Sequence, residues 1–247
     1  MKAMILAAGL GTRLRPLTDS RPKALVEIAG RTLLEITLTR LKACGIGEVI
    51  VNVHHFADMV VDYLKAHKNL GMHIEISREE ELLDTGGGLK KVAWFFMEKS
   101  GSREQPFILH NVDVLSTIDL QRMVQAHGTG ENLATLAVQA RESSRQLLFD
   151  EDLSLCGRKK NEEIEIVRKM ALEPRRFAFT GIHVISPRLL KMLREDGVFS
   201  IIDAYLRLAG RGEKIAAFPA DEYYWRDVGR LDDLQQAAED LKHKKLN

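Results

Sequence analysis

Arg13, Lys23, Asp113 and Asp227 are the residues whose types and settings could do chemistry together. Arg13 follows a glycine turn, Gly9-Leu10-Gly11-Thr12, which breaks the apolar run Met4–Ala8, and Lys23 follows Pro22. Glycines let backbone N–H groups approach phosphate oxygens with no Cβ in the way. A guanidinium adds a planar fork for those oxygens, and an ammonium adds a compact charge. Pro22 restricts Arg21 to extended conformations and so fixes the approach to Lys23. Asp113 ends an apolar run, where a buried carboxylate is costly without a partner, and Asp227 sits at a second apparent strand end before a helix. An aspartate at a strand end also serves as a helix cap or turn former. Two common phosphate motifs are excluded. The third glycine of a dinucleotide GxGxxG would fall at Leu14, and Gly11 is followed by Thr12 and Arg13 where a P-loop requires lysine.

The elements around these residues alternate. Short apolar runs at Ala3–Ala7, Glu48–Val53, His73–Ser77 and Phe107–Val114 predict strands. Leu33–Cys44, Ala57–His67 and Gly88–Met97 carry helical periodicity, the first stopping at Gly45. That alternation predicts an α/β fold with a mixed, mostly parallel sheet flanked by helices. Ligands of such sheets sit at the carboxyl ends of strands, where the glycine turn falls. The second half reads differently: Leu133–Arg141 and the pair "RQLLFD" and "LSLCG" predict a small antiparallel β element. A strand at Phe177–Ile185, helices from Pro187 and at Ile201–Leu208, a strand at Lys214–Pro219 and a long terminal helix follow. The basic run "KHKK" reads as a solvated helix end. No repeat or flexible linker interrupts the chain, which predicts one domain over 1–247.

The bulk numbers narrow the function. With 247 residues, 45% of them hydrophobic, the chain is long enough for a sizeable core. A net charge of +1 gives no general pull toward nucleic acid or membrane. Cys44 and Cys156 form no CxxC pair, so a reducing compartment, and hence a cytoplasmic setting, is expected. The apolar run Met4–Ala8 is too short for a signal-peptide core, and no segment reaches membrane-spanning length.

The stretch "LAAGLGTRLRPLTDSRPKALV" resembles the signature of the sugar-1-phosphate nucleotidyltransferases. The similarity extends through "LLDTGGGL" at 82–89, "HNVDVL" at 110–115, "FTGIHV" at 179–184 and "WRDVG" at 225–229. The resemblance implies a Rossmann-like, GT-A-like fold, with a nucleotide-binding half to about 115 and a sugar-binding half from about 116. It implies a reaction in which a sugar 1-phosphate displaces pyrophosphate from a nucleoside triphosphate to give a nucleotide sugar. Arg13 would neutralise the pyrophosphate, and Lys23 would bridge the α-phosphate and the attacking sugar phosphate. Leu6, Ala7, Ala8, Gly9, Gly11, Thr12, Arg13, Asp84, Thr85, Gly86, Gly87 and Asn111 would hold the nucleotide. Glu173, Thr180, Gly181 and Asp203 would meet the hexose, although Asp203 lies at a helix start where Ser200 is placed to cap. Asp113 and Asp227 match the family's ligands for Mg²⁺ or Mn²⁺. Val112 is a departure, since glycine often precedes the first of these aspartates. Three consecutive glycines at 86–88 are entropically expensive to order, and on propensity alone they read as a flexible loop. The short form and "DTGGG" look closest to N-acetylmuramate-1-phosphate uridylyltransferases. Mannose- or heptose-1-phosphate guanylyltransferases and a catalytically weak nucleotide-sugar sensor are the alternatives. The implied partners are small molecules, with no nucleic acid or membrane, and the implied assembly is a monomer or small homo-oligomer. Hexapeptide repeats of an acyltransferase domain are absent from the sequence.

Overall fold

The computed structural model describes residues 1–97, 105–128 and 131–242. The basic run from His243 onward lies outside them. In chain order the first elements are β1 (Lys2–Leu6), β2 (Glu27–Ile28), β3 (Arg31–Thr32), α1 (Leu33–Ala43), β4 (Glu48–Val53), α2 (Ala57–Ala66) and β5 (His73–Arg78). Next come α3 (Asp84–Lys91), α4 (Ala93–Met97), β6 (Phe107–Asn111), β7 (Val114–Ser116), α5 (Leu120–Gly128), β8 (Ala134–Gln139) and β9 (Arg145–Phe149). The chain continues through β10 (Leu155–Lys160), β11 (Glu163–Ile166), β12 (Arg175–Ile185), α6 (Ile201–Ala209), β13 (Ile215–Pro219), β14 (Trp225–Asp227) and α7 (Leu231–Lys242). These elements group into two interleaved units. One is built from Met1–Leu83, Leu109–Ile118 and the segment from Tyr223 on, the other from Asp84–Ile108 and Asp119–Glu222. The expected division near residue 115 falls inside the first unit's middle segment.

In the first unit β1, β4 and β5 are parallel, with Lys2 opposite Glu48 and Glu48 opposite His73. β4 reads EVIVNV, and all of it after Glu48 is buried, as expected of a strand covered on both faces. The single polar residue inside it, Asn52, is used by the site. α1 starts where Thr32 Oγ1 accepts the Glu35 N–H at 3.1 Å. It stops as predicted at Gly45, whose φ of 80° is followed by the Ile46 N–H reaching back to the Leu41 carbonyl, a Schellman ending. Its Leu33, Leu34, Leu38 and Leu41 are buried. The expected single strand Phe107–Val114 is two strands: β6 ends at Asn111, and Val112–Asp113 make a turn into β7. β7 pairs antiparallel with β14, Val114 opposite Asp227.

The second unit holds the antiparallel strands. β12 pairs with β8 and β9, β9 with β10, and β10 with β11, while β13 runs parallel to β8. β12 begins two residues earlier than predicted and shifts register against β8 between Phe179 and His183, where Gly181 has φ 83°. The glycine run is no loop. Gly86, Gly87 and Gly88 are buried in α3, which opens at Asp84, ahead of the expected start at Gly88. Tertiary packing overrides the low helix propensity of glycine here. A Cβ on Gly86 would come within 2.3 Å of the Phe199 ring, so only glycine allows that approach.

Candidate active site

The first unit gathers the glycine turn, both cations and both aspartates. β1 delivers the chain to buried Ala7 and Ala8. The Ala7 N–H donates to Asn52 Oδ1 at 2.7 Å, and the Asn52 amide donates to Glu79 Oε1 at 2.6 Å. Glu79 also accepts the Leu83 N–H at 3.1 Å. All three groups are thereby satisfied in the interior. Asn52→Leu would strand the Ala7 N–H and one oxygen of a buried carboxylate, so it is expected to lower stability by about 2–3 kcal/mol, read from the denaturant midpoint. A midpoint equal to the native one would remove Asn52 from the account.

Beyond Ala8 the turn tightens. Gly11 has φ 64°, and a Cβ there would stand 3.0 Å from Thr18 Cγ2 and 3.1 Å from Lys23 Cβ. Thr18 Oγ1 donates to the Gly11 carbonyl at 2.8 Å. The short 3-10 turn Thr12–Leu14 buries Leu14 and leaves Thr12 and Arg13 exposed. Pro22 is extended and leads into a second 3-10 turn, Lys23–Leu25, all buried. Lys23 is 8% exposed, and its ammonium pairs with the Asp113 carboxylate.

Asp113 sits in the turn between β6 and β7. Its carbonyl accepts the Val228 N–H at 2.9 Å, and the preceding Val112 N–H donates to the Leu6 carbonyl at 3.1 Å. Val112, the departure from the family pattern, is therefore a buried backbone tie between this turn and β1. Asp227 ends β14. Burial, and then the Asp113 charge, raise its carboxyl above the ordinary value, while Lys23 and Arg13 pull it down. Asp227 Oδ1 is buried with no hydrogen-bond partner.

Among the described residues no three His, Cys, Asp or Glu side chains form a metal-binding group. The donors present are a carboxylate pair, one member with an orphaned oxygen. Mg²⁺ is commonly held by one or two carboxylates with water and phosphate oxygens completing its shell, so these donors fit Mg²⁺ or Mn²⁺.

Gly229 was not singled out from the sequence. A Cβ at this position would lie 2.7 Å from Arg13 Nη2 and 2.8 Å from Asp227 Oδ1. It closes the quoted stretch "WRDVG", two residues past an acidic strand end, but that stretch gave it no role. Gly229→Ala should push the two groups apart and lower turnover on the order of tenfold to a hundredfold with little change in Tm. Kinetics indistinguishable from the native chain would show the spacing to be incidental.

The other predicted contacts stand in the second unit, apart from Asn111, which closes β6. Asp84 has φ 58°, and its Oδ1 accepts the Thr85 N–H at 2.6 Å. Thr85 Oγ1 accepts the Ile201 N–H at 3.0 Å, and the Gly86 and Gly87 N–H groups donate to the Phe199 carbonyl at 2.9 and 3.3 Å. The starts of α3 and α6 thus cap each other. Ser200 Oγ accepts the Ile202 N–H, the capping role expected of it. Glu173 is exposed just ahead of β12. Thr180 is buried, its hydroxyl donating to the Ala137 carbonyl at 2.7 Å. Asp203 is ion-paired with Arg158 at 2.5 Å.

A glycine turn with flanking cations on a parallel sheet, facing a carboxylate pair, defines a site for phosphate-group chemistry. Residues 2–244 match the nucleotidyl transferase family model, and the chain belongs to that family. It is an enzyme of the sugar-1-phosphate nucleotidyltransferase class. It is 34% identical over 236 residues to N-acetylmuramate alpha-1-phosphate uridylyltransferase of Caulobacter vibrioides, covering 92% of this chain and 91% of that one. It is 29% identical to mannose-1-phosphate guanylyltransferase 1 of Arabidopsis thaliana, covering 93% of this chain but only 62% of the relative. Among solved structures, HddC from Yersinia pseudotuberculosis complexed with GMP-PN shares the fold, with TM-score 0.74, 21% identity and coverage of 97% and 99% of the two chains. No helix among the described residues is long and apolar enough to cross a membrane.

Proposed function

We propose that this enzyme transfers a uridylyl group from UTP to N-acetylmuramate 1-phosphate, in a cytoplasmic setting. One observation carries the chemistry: the buried Lys23 ammonium is paired to Asp113 in the unit that also holds Arg13 and Asp227. The choice of substrates is supported by the 34% identity to the Caulobacter enzyme over nearly the full length of both chains.

An oxygen of the sugar phosphate attacks the α-phosphorus, the bond from that phosphorus to the α–β bridging oxygen breaks, and pyrophosphate leaves with the electron pair. No protein nucleophile is required. Positioning and charge neutralisation carry the rate, as in other transfers between polyanions. Leu6–Gly9 and the N–H groups of Gly11 and Thr12 hold the triphosphate. Arg13 neutralises the departing pyrophosphate. Lys23 draws the α-phosphate and the sugar phosphate together. Asp113 and Asp227 would hold a Mg²⁺ or Mn²⁺ ion, which when bound supplies neutralisation of phosphate oxygens.

Asn111 and Asp84–Gly87 are assigned to the nucleoside. Because the Gly86 and Gly87 N–H groups donate to Phe199, base reading there falls to the Asp84 carboxylate. Glu173, Thr180, Gly181 and Asp203 are assigned to the hexose. The exposed Glu173 carboxylate and the Gly181 backbone supply the polar contacts, since the Thr180 hydroxyl is spent on Ala137.

Pyrophosphate release from UTP, GTP, dTTP, CTP and ATP against a panel of sugar 1-phosphates, with Mg²⁺ and with chelator, tests this reading. UTP with N-acetylmuramate 1-phosphate should lead, and chelator should abolish it. GTP with mannose or heptose 1-phosphate leading instead would make this a guanylyltransferase, a reading favoured by the 29% identity to the Arabidopsis enzyme. Nucleotide binding without release from any pair would indicate a sensor.

A further inference from the structure

Arg40 projects from the last turn of α1, and its guanidinium holds both ends of the segment that carries Asp113. Nη1 donates to Ser116 Oγ at 2.7 Å and stands 3.2 Å from His110 Nε2, while Nη2 donates to the Ile118 carbonyl. His110 lies in β6 just before the Asp113 turn, and Ser116 and Ile118 lie in and after β7 beyond it. His110 Nδ1 meets the Asn111 carbonyl at 2.8 Å, which assigns the ring proton to Nδ1 and leaves Nε2 to accept from Arg40. Burial, and then the Arg40 charge, hold His110 down to about 3, so the ring is a neutral acceptor at any working pH.

The same fork bears on Asp227. Ser116, which Arg40 holds, pairs with Trp225, and Val114 pairs with Asp227 across the β7–β14 ribbon. One planar group with several fixed donors is thereby tied to the base of the ribbon and to the strand before the turn. The helix it springs from is anchored at both ends, by the Thr32 cap and the Gly45 stop, so the fork has a rigid origin.

We infer that Arg40, acting through His110, Ser116 and the Ile118 carbonyl, is a positioning residue that sets the placement of the Asp113–Asp227 carboxylate pair for its divalent ion. The inference rests on the reading that this pair holds the ion. An aliphatic side chain at position 40 leaves α1 able to form but frees the turn. Lysine keeps the charge without the fork.

The test uses the full chain with UTP present and compares native, Arg40→Met and Arg40→Lys proteins by Mn²⁺ titration followed by electron paramagnetic resonance, by steady-state kinetics and by Tm. Arg40→Met should weaken Mn²⁺ binding and lower kcat by about tenfold or more, a common effect of losing a residue behind the metal ligands, while KM for UTP stays within a few-fold. Arg40→Lys should fall between, and it carries the test if the methionine variant does not fold. Folded variants that bind Mn²⁺ as the native chain does, or that lose kcat only in proportion to folded protein, would overturn the inference and leave the proposed function standing. A native protein with no Mn²⁺ binding and no metal-dependent turnover would overturn both.

Discussion

Lys23→Ala should lower kcat by roughly two orders of magnitude while the protein remains folded. The native ammonium is buried against Asp113 in the unit that also holds Asp227, so it is already desolvated and aimed before substrates arrive. Such a group costs little reorganisation at the moment of reaction, and its loss falls on the transition state, where charge is redistributed about the α-phosphorus. Alanine keeps the Cβ that packs against Gly11, which protects the glycine turn. The affinity for nucleoside triphosphate should therefore change far less than kcat. Circular dichroism and a thermal melt check the fold. Turnover within a few-fold of native, in a folded variant, would remove Lys23 from the mechanism.

Asp227→Asn should abolish most turnover and yet leave the ligand-free protein at least as stable as the native chain at neutral pH. The sign follows from the surroundings of Asp227. Burial and Asp113 raise its carboxyl in the folded state, so its contribution to stability is fully present below the unfolded value of about 4 and is lost as pH rises through the folded value. An asparagine carries no such loss. Between acid and neutral pH the native Tm should fall relative to that of the variant. Added Mg²⁺ or Mn²⁺ with nucleotide should raise the native Tm and leave the variant's nearly unmoved. Equal responses to metal would show that Asp227 is not a ligand.

Much of the first unit was legible because local and tertiary signals agree there. Glu48–Val53 is apolar nearly throughout and became a strand with those bounds, and α1 carried its periodicity and its glycine stop in plain view. The cations and aspartates were legible as a set because their spacing follows a long family pattern. Two kinds of feature stayed hidden. The glycines of α3 have the wrong propensity for a helix, and at Gly86 it is the close approach of Phe199 that requires one. Gly229, Asn52, Glu79 and Arg40 act through contacts between segments distant in sequence, which no local window contains. Asn52 did leave a trace, as a lone polar residue in an apolar strand. The interleaving of the two units is likewise a property of long-range contacts and left no mark in composition.

The most direct test follows the phosphorus atoms themselves. ³¹P NMR of the native enzyme with UTP, N-acetylmuramate 1-phosphate and Mg²⁺ should show both substrates consumed together, with one pyrophosphate appearing for each nucleotide-sugar diphosphate formed and no signal change in chelator. Consumption of UTP with the sugar phosphate untouched, or no consumption of any nucleoside triphosphate and sugar 1-phosphate pair by folded enzyme, would contradict the account.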